Sequence, residues 1–282
     1  MDTVRETAKA KVNLDLRVLR RREDGYHDLD SLVVFTDIGD QLAMTPADDL
    51  VLSIEGPFAD ALAYEPDNLI LKATRRLASF LGRSPDVRII LEKRLPVASG
   101  LGGGSADAAA TLRGLIRLWD LPLTIGDLTP LAQSLGADVP VCLGSRPARM
   151  TGMGEQLTPF DLPEPLAMLL INPETPIETP SVFKMLGHMS GERATLATSK
   201  SSFLEALKAS ANDLEAPAKC LAPVIGKVLA ALADQPGCHL TRLSGSCATC
   251  FGLFQDHRSL ADAENRLRAD HPDWWMAACR CK

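Results

Sequence analysis

The sequence predicts an α+β fold in two domains. Three observations carry this. Segments of period-two apolar alternation lie among segments of helical spacing, and several strand-like segments are joined by hairpin-type turns, which favours a mixed fold over a doubly wound parallel sheet. Four of the five residues 100–104 are glycine, and they fall between a strand-like and a helix-like segment. Prolines then crowd one interval, at Pro159, Pro163, Pro165, Pro173, Pro176 and Pro180, and place a domain boundary there, giving domains 1–158 and 159–282.

Residues 10–18 open the pattern. Ala10, Val12, Leu14, Leu16 and Val18 alternate with Lys11, Asn13, Asp15 and Arg17, so the segment reads as a half-buried strand with Lys11 and Asn13 on one face. Asp24-Gly25 marks a hairpin turn, 31–35 is the returning strand, and 50–54 reads as a third. Leu69, Ile70, Ala73, Leu77 and Phe80 give a helix over 68–81 with Gly82 as its stop, and 87–91 is a strand closed by Arg94-Leu95-Pro96. After the glycines, Ala108, Leu112, Leu115, Ile116 and Trp119 give a helix over 105–119. Thr129-Pro130 reads as a cap and first helical residue and Gly136 as the stop, leaving 137–140 as a turn. Beyond the boundary come a strand at 168–171, helices at 182–186, 202–207, 225–233 and 259–268, and a turn with a strand at 244–254.

Composition narrows the function. A length of 282 residues, with 46% hydrophobic and 23% charged, excludes disordered, collagenous and coiled-coil chains. The net charge of −6 argues against a protein that grips nucleic acid through its backbone. Residues 1–10 mix Asp2, Arg5, Glu6 and Lys9 with no apolar run, so no signal or transit peptide is expected. The apolar stretch 162–171 is broken by proline and glutamate and falls short of the roughly 20 residues that span a bilayer. The expectation is a soluble cytoplasmic protein without a membrane or nucleic-acid partner. Seven cysteines, an odd number, fit reduced thiols. Cys247-x-x-Cys250 with Cys279-x-Cys281 has the ligand count of a structural zinc. Its context, a turn entering a buried strand and a chain terminus, favours free thiols, and no metal site is assigned.

Gly100-Leu101-Gly102-Gly103-Gly104-Ser105 opening a helix is suited to an anion. Glycines let the backbone approach closely and turn its N–H groups inward, and the helix amino terminus adds partial positive charge. A phosphate chain is the natural occupant; the bland reading is a flexible loop or a tight helix–strand contact. The segment is not a Walker A loop, since no Gly-Lys-Ser/Thr closes it. Nor is it a dinucleotide fingerprint, because Ser105 stands where the last glycine would be.

The stretch Pro96-Val97-Ala98-Ser99-Gly100-Leu101-Gly102-Gly103-Gly104-Ser105-Ala106 resembles the signature of the GHMP kinases, which phosphorylate small-molecule hydroxyls with ATP. Further blocks are similar to the branch of that family whose acceptor is a cytidyl diphosphate sugar alcohol: 8–14 around Lys11 and Asn13, Asp24-Gly25-Tyr26-His27, Leu135-Gly136-Ala137-Asp138-Val139-Pro140, Asn212-Asp213-Leu214-Glu215 and Arg242-Leu243-Ser244-Gly245-Ser246. They cover residues 8 to about 254 in the family's order. Ala106 departs from the family's usual second serine, and Cys247 stands where glycine is common.

The resemblance implies a two-domain GHMP-kinase fold with the active site in the cleft between domains, ATP with Mg2+, and a chain that is a monomer or weak homodimer. It implies Lys11 and Asp138 as catalytic residues. ATP would be held by Asn68, Lys93, Pro96, Val97, Ala98, Ser99, Gly100, Leu101, Gly102, Gly103, Gly104, Ser105 and Ala106, with Asn68 and Lys93 near the adenine. The acceptor would be held by Asn13, by Tyr26 and Phe183 sandwiching its cytosine, and by His27 reading the base's polar edge. Taken singly, Lys11 is a solvated strand lysine, Asp138 a turn residue accepting backbone N–H bonds, Asn68 a helix cap and Phe183 a core residue. Phosphoryl transfer needs a positioned hydroxyl, an acceptor for its proton and cations for the phosphoryl oxygens, which is what the motif supplies. Homoserine or mevalonate kinases have no base to stack and so no use for the Asp-Gly-Tyr-His block. A non-catalytic nucleotide sensor of the same fold has no need to keep both Lys11 and Asp138.

Overall fold

A computed structural model describes residues 3–62, 68–191 and 200–281. In chain order the elements are β1 (Val4–Asn13), β2 (Arg17–Arg21), β3 (His27–Pro46), β4 (Val51–Glu55), α1 (Leu69–Phe80), β5 (Val87–Glu92), α2 (Gly103–Leu118), α3 (Thr129–Leu135) and α4 (Val139–Gly144). There follow β6 (Ala148–Gly152), β7 (Gln156–Pro159), β8 (Leu166–Asn172), α5 (Thr179–Lys184), α6 (Lys200–Ala209), α7 (Glu215–Leu221), α8 (Val224–Ala233), β9 (Cys238–Leu243), β10 (Cys250–Phe254), α9 (His257–Asp270) and β11 (Trp275–Cys281). The mixture of antiparallel strands and helices is the expected α+β class.

The chain groups into two compact units that are not consecutive. The first is Met1–Lys11, Ile38–Val97 and Gly102–Ser145; the second is Val12–Asp37, Ala98–Leu101 and Arg146–Lys282. These units interleave along the chain, whereas the expected domains 1–158 and 159–282 are consecutive. The strands β1 and β3 each contribute residues to both units, so a break in composition along the chain cannot mark the division. Of the prolines that suggested the boundary, Pro159 ends β7, Pro163 and Pro165 lie between β7 and β8, Pro173 and Pro176 lie between β8 and α5, and Pro180 is in the first turn of α5.

In the first unit β5 pairs antiparallel with the end of β3, from Gln41↔Glu92 to Pro46↔Val87, and parallel with β4. A parallel pair needs a crossover, and α1 provides it. Val87, Ile89 and Leu91 are buried on one face of β5 while Arg88 and Ile90 turn outward. Helix α1 buries Ile70, Ala73, Thr74 and Leu77, and α2 buries the small residues Ala108, Ala109 and Ala110, which let it pack closely on α1 and α4.

In the second unit β8 is central, with β11 on one side and β10 then β9 on the other, all antiparallel. Its whole length from Ala167 to Asn172 is buried. Leu169 and Ile171 join Val182, Leu214, Ile225, Val228, Leu232, Leu243 and Phe254 in one apolar cluster. The β2–β3 hairpin turns at Asp24-Gly25, with Gly25 at φ +88°. The start of β3 also pairs with β6, and β6 with β7.

Several elements differ from expectation. Of the expected turn 137–140, Ala137 and Asp138 do form a turn, but Val139 and Pro140 already open the helix α4, because a proline in a helix's first turn loses no intrahelical bond. The same reason hides α7, whose Pro217 is in its first turn. Strand β11 runs through Ala277-Ala278-Cys279-Arg280-Cys281, where alanine is a weak strand former and no period-two apolar alternation shows, so this end of the chain reads as a fraying terminus. Strands β6, β7 and β9 were also unforeseen. Among the described residues no helix is long and apolar enough to cross a membrane.

Candidate active site

Two residues later than Ala8-Lys9, strand β1 brings Lys11 into the first unit almost completely buried, at 5% exposure. Its Nζ donates to Asp138 Oδ2 at 2.7 Å across 127 residues of sequence, and the Asp138 side chain remains 36% exposed. Asp138 is the residue before α4, a place where aspartate usually accepts a backbone N–H from its own helix. Here its side chain makes no such bond, so the simple turn-residue reading of Asp138 does not hold. Nor is Lys11 a solvated strand lysine.

Arg113 of α2 fixes both carriers of this pair. It donates through Nε to Glu6 Oε2 at 3.0 Å and through Nη2 to Thr7 O at 3.1 Å, both on β1. Through Nη1 it donates to Cys142 O at 2.9 Å, a carbonyl at the end of α4 where a cation is favoured. Nothing in the local sequence singles out Arg113, since its partners lie far away in the chain.

The glycine-rich segment has the conformation its composition anticipates. Gly102 precedes α2 in the left-handed region, φ +64°, and a Cβ there would stand 3.4 Å from Lys11 Cβ and Cε. It offers no side chain to the first N–H groups of α2, which leaves those donors for an anion. A Cβ on Gly103 would stand 3.1 Å from Lys93 Nζ. Gly104 is exposed and Ser105 half-buried at the helix start. Ala106 is buried and donates its N–H to Gly102 O at 2.8 Å, so the missing hydroxyl leaves the turn closed. Pro96 and Leu101 are buried, whereas Val97 and Ala98 are exposed, Ala98 at φ +52°.

The middle of the segment, 98–101, is grouped with the second unit and meets the turn after β9. A Cβ on Gly100 (φ +83°) would stand 2.7 Å from Ser244 O, Thr249 N–H donates to Ser99 O at 3.3 Å, and Ser244 Oγ donates to Gly100 O at 3.4 Å. Positive φ in that turn falls on Gly245, not on Cys247, so the cysteine is accommodated without backbone strain. Asn212 holds the turn by donating to Leu243 O and Gly245 O at 2.9 and 2.7 Å. Arg242 is buried with its guanidinium on Leu14 O, Leu207 O, Ser210 O and Ser210 Oγ.

Asn68 and Lys93 do not present themselves as expected. Asn68 caps α1 through Oδ1, accepting Ile70 N–H at 2.9 Å. Lys93 is buried, its ammonium donating to Asp40 Oδ2 at 2.5 Å and Asp107 Oδ2 at 2.8 Å. Its N–H donates to Glu55 O and its carbonyl accepts from Phe58 N–H. Its ammonium is thus committed to two carboxylates of its own chain. Burial pushes the Asp107 carboxyl up to about 7, against the pull of the Lys93 ammonium. Burial opposes the charge on Lys93 as well, but Asp107 and Asp40 reverse this and leave its pKa raised.

The residues expected to hold the acceptor, Asn13, Tyr26, His27 and Phe183, all fall in the second unit. Asn13 is buried; its Nδ2 donates to Ser31 Oγ at 2.7 Å and its N–H to Ser244 Oγ at 3.1 Å. Ser31 Oγ in turn donates to Asp15 O at 2.6 Å, so the Asn13 amide is held in one orientation. Tyr26 is 65% exposed. The ring stacked on Phe183 is that of His27, at 4.8 Å between centroids and 25° between planes. The expected placing of Tyr26 and Phe183 on the two faces of a cytosine concerns a bound base; within the chain itself the ring against Phe183 is His27. Partial burial and then the charge of Arg21 lower the His27 pKa, so its ring is neutral at pH 7, with one N–H donor and one nitrogen acceptor.

All seven cysteines are free thiols, and Cys247, Cys250, Cys279 and Cys281 are buried. Cys279 donates to Met168 O and Cys281 lies against the Met168 sulfur.

Comparison with known proteins adds a second line of argument. The chain matches the family described as GHMP kinases N terminal domain over residues 68–146 and that described as GHMP kinases C terminal over 193–273. It is 51% identical to the 4-diphosphocytidyl-2-C-methyl-D-erythritol kinase of Rhodospirillum rubrum, over 99% of this chain and 93% of that one. It is 46% identical to the enzyme of the same name from Bradyrhizobium diazoefficiens, over 99% and 98%. Among solved structures it is similar to a 4-(cytidine 5'-diphospho)-2C-methyl-D-erythritol kinase, with 34% identity, a TM-score of 0.82 and 98% of each chain covered. The homoserine kinase from Cytophaga hutchinsonii shares the fold at 19% identity and a TM-score of 0.75, covering 100% of this chain and 95% of that one.

Proposed function

The chain belongs to the family of 4-diphosphocytidyl-2-C-methyl-D-erythritol kinases within the GHMP kinases, and from that premise we propose how its residues carry the reaction. The reaction is ATP-dependent phosphorylation of the 2-hydroxyl of 4-diphosphocytidyl-2-C-methyl-D-erythritol, in the non-mevalonate route to isoprenoid precursors. The observation that carries the mechanism is the Lys11–Asp138 pair, drawn together at 2.7 Å from opposite parts of the sequence.

Asp138 has a half-exposed carboxylate whose second oxygen accepts the acceptor's hydroxyl proton. An ordinary aspartate is a weak base toward an alcohol. In a loose transition state the proton leaves late, and the carboxylate works chiefly by aiming the oxygen in line with the γ-phosphorus. Lys11 holds that carboxylate by hydrogen bond and balances the charge that moves with the phosphoryl group. Gly102 leaves the first N–H groups of α2 to the phosphates, with Gly103, Gly104 and Ser105 lining the seat. When bound with the nucleotide, Mg2+ would supply charge neutralisation, and the Ser105 hydroxyl at the helix start would be an oxygen donor of the kind a hard cation takes. Asn13, oriented by Ser31, binds the acceptor's polar atoms. Tyr26, His27 and Phe183 supply stacking faces, and hydrogen bonds supply the discrimination between bases. The chain acts on a small molecule, in the cytoplasm, as a monomer or weak homodimer.

The test offers ATP with 4-diphosphocytidyl-2-C-methyl-D-erythritol, homoserine and mevalonate in parallel and follows ADP release. Release with the first alone is expected; release with none refutes the reading in favour of a nucleotide sensor.

A further inference from the structure

Asp40 lies in β3 with no exposed surface, and its two oxygens serve different ends of the glycine-rich segment. Oδ1 accepts the N–H groups of Arg94 at 2.7 Å and Leu95 at 2.8 Å, the residues by which the chain leaves β5 for the segment. Oδ2 accepts from Lys93 Nζ at 2.5 Å, and the same ammonium donates to Asp107 Oδ2 at 2.8 Å, one turn inside α2. Gly103, the first residue of α2, lies over this ammonium: its Cβ would stand 3.1 Å from Lys93 Nζ and 3.8 Å from Asp40 Oδ2. One carboxylate therefore holds the entrance of the segment by main-chain bonds and its exit by an ammonium bridge. Asp107 Oδ1 is buried with no hydrogen-bond partner. A bridge assembled for stability alone would not bury two carboxylates on one ammonium, since apolar side chains of similar volume serve that end at least as well.

We propose that Asp40 is a positioning residue for the nucleotide: through Arg94, Leu95, Lys93 and Asp107 it sets the span across which residues 97–105 turn their N–H groups onto the phosphates. This rests on the reading of the segment as the seat of ATP. A seat made of backbone donors works only in register, and a misplacement of about 1 Å costs up to roughly 100-fold. Asp40, Lys93 and Asp107 are 0%, 2% and 4% exposed, so they act through the segment and not by touching either substrate.

Asp40→Asn keeps the shape of the side chain and removes the charge that Lys93 needs. Steady-state kinetics with each substrate varied in turn, together with equilibrium binding of a fluorescent ADP, read the effect. The KM for ATP and the Kd for the ADP probe should rise about 10- to 100-fold while the KM for the acceptor stays within about twofold. Asp107→Asn should raise the same two constants less, because the Arg94 and Leu95 bonds survive. Equal rises in both KM values, or a lower Tm with unchanged nucleotide affinity, overturn the proposal. If Asp40→Asn does not fold, Asp107→Asn decides, and an unchanged KM for ATP in that variant overturns it. A wild-type chain that fails to bind the ADP probe refutes the phosphate reading itself, a result distinct from loss of binding in the variants alone.

Discussion

The charged groups of the first unit and the aromatic groups of the second meet their surroundings in opposite ways. Lys11 and Lys93 are buried with their ammonium groups already on carboxylates, and Asp40 spends both oxygens on named donors. Tyr26 holds its ring 65% in solvent, and the stack of His27 on Phe183 is only partly covered. The difference agrees with the tasks proposed for Lys11 on one side and the rings on the other. Charges that stabilise a moving phosphoryl group must be aimed before it moves, since reorganising them costs most of their benefit. A ring that stacks on a base needs only an open face, and the ligand itself completes the burial.

If that division is right, substitutions in the two units should damage different constants. The largest effect is expected from Asp138→Asn, which keeps the helix start and removes the proton acceptor. Turnover should drop by about 100- to 10,000-fold, with the Kd of a fluorescent ADP nearly unchanged. Full turnover in this variant would remove Asp138 from the chemistry and erase the contrast between the units.

Phe183→Ala comes next. Loss of one stacking face is worth about 1–3 kcal/mol. The acceptor KM should rise about tenfold or more, with the KM for ATP unchanged. An equal rise for both substrates would mean that Phe183 acts through the apolar cluster it packs on, and that the second unit has no separate task. Comparison with Tyr26→Ala then sharpens the assignment, since only Phe183 has a ring partner here.

The smallest effect concerns pH. The Asp107 carboxyl is raised from its ordinary 3.8 to about 7 by burial, with Lys93 opposing. Between those values the native chain keeps a proton that the unfolded chain has released, so this group's contribution to stability falls as pH rises from about 4 to 7 and levels off above. Asp107→Asn removes the dependence. Tm measured from pH 5 to 8 should decline less steeply in the variant than in the wild type, and parallel curves would show that Asp107 is ionised throughout.

Much of the fold could be read locally. The β2–β3 hairpin follows from Asp24-Gly25, α1 from its apolar spacing and its Asn68 cap, and α3 from Thr129-Pro130 and Gly136. These signals lie within a few residues of what they determine. Helices α4 and α7 were missed because proline in a first turn imitates a break, and β11 because alanine and cysteine carry little strand preference.

The candidate site divides along the same line. The sequence by itself determined the left-handed glycine turns and the open helix start of residues 100–105, the geometry that the proposed phosphate seat needs, because glycine's freedom at positive φ and the unpaired N–H groups of a helix start are properties of a short stretch of chain. It also placed Lys11 and Asn13 on one face of a strand. Only the tertiary structure decided that Lys11 meets Asp138, that Lys93 is enclosed by Asp40 and Asp107, that His27 stacks on Phe183, and that β1 and β3 each supply residues to both units. Hydrogen bonds and ion pairs between side chains act over about 3 Å of space whatever their separation in sequence, and no local pattern records which distant partner will arrive.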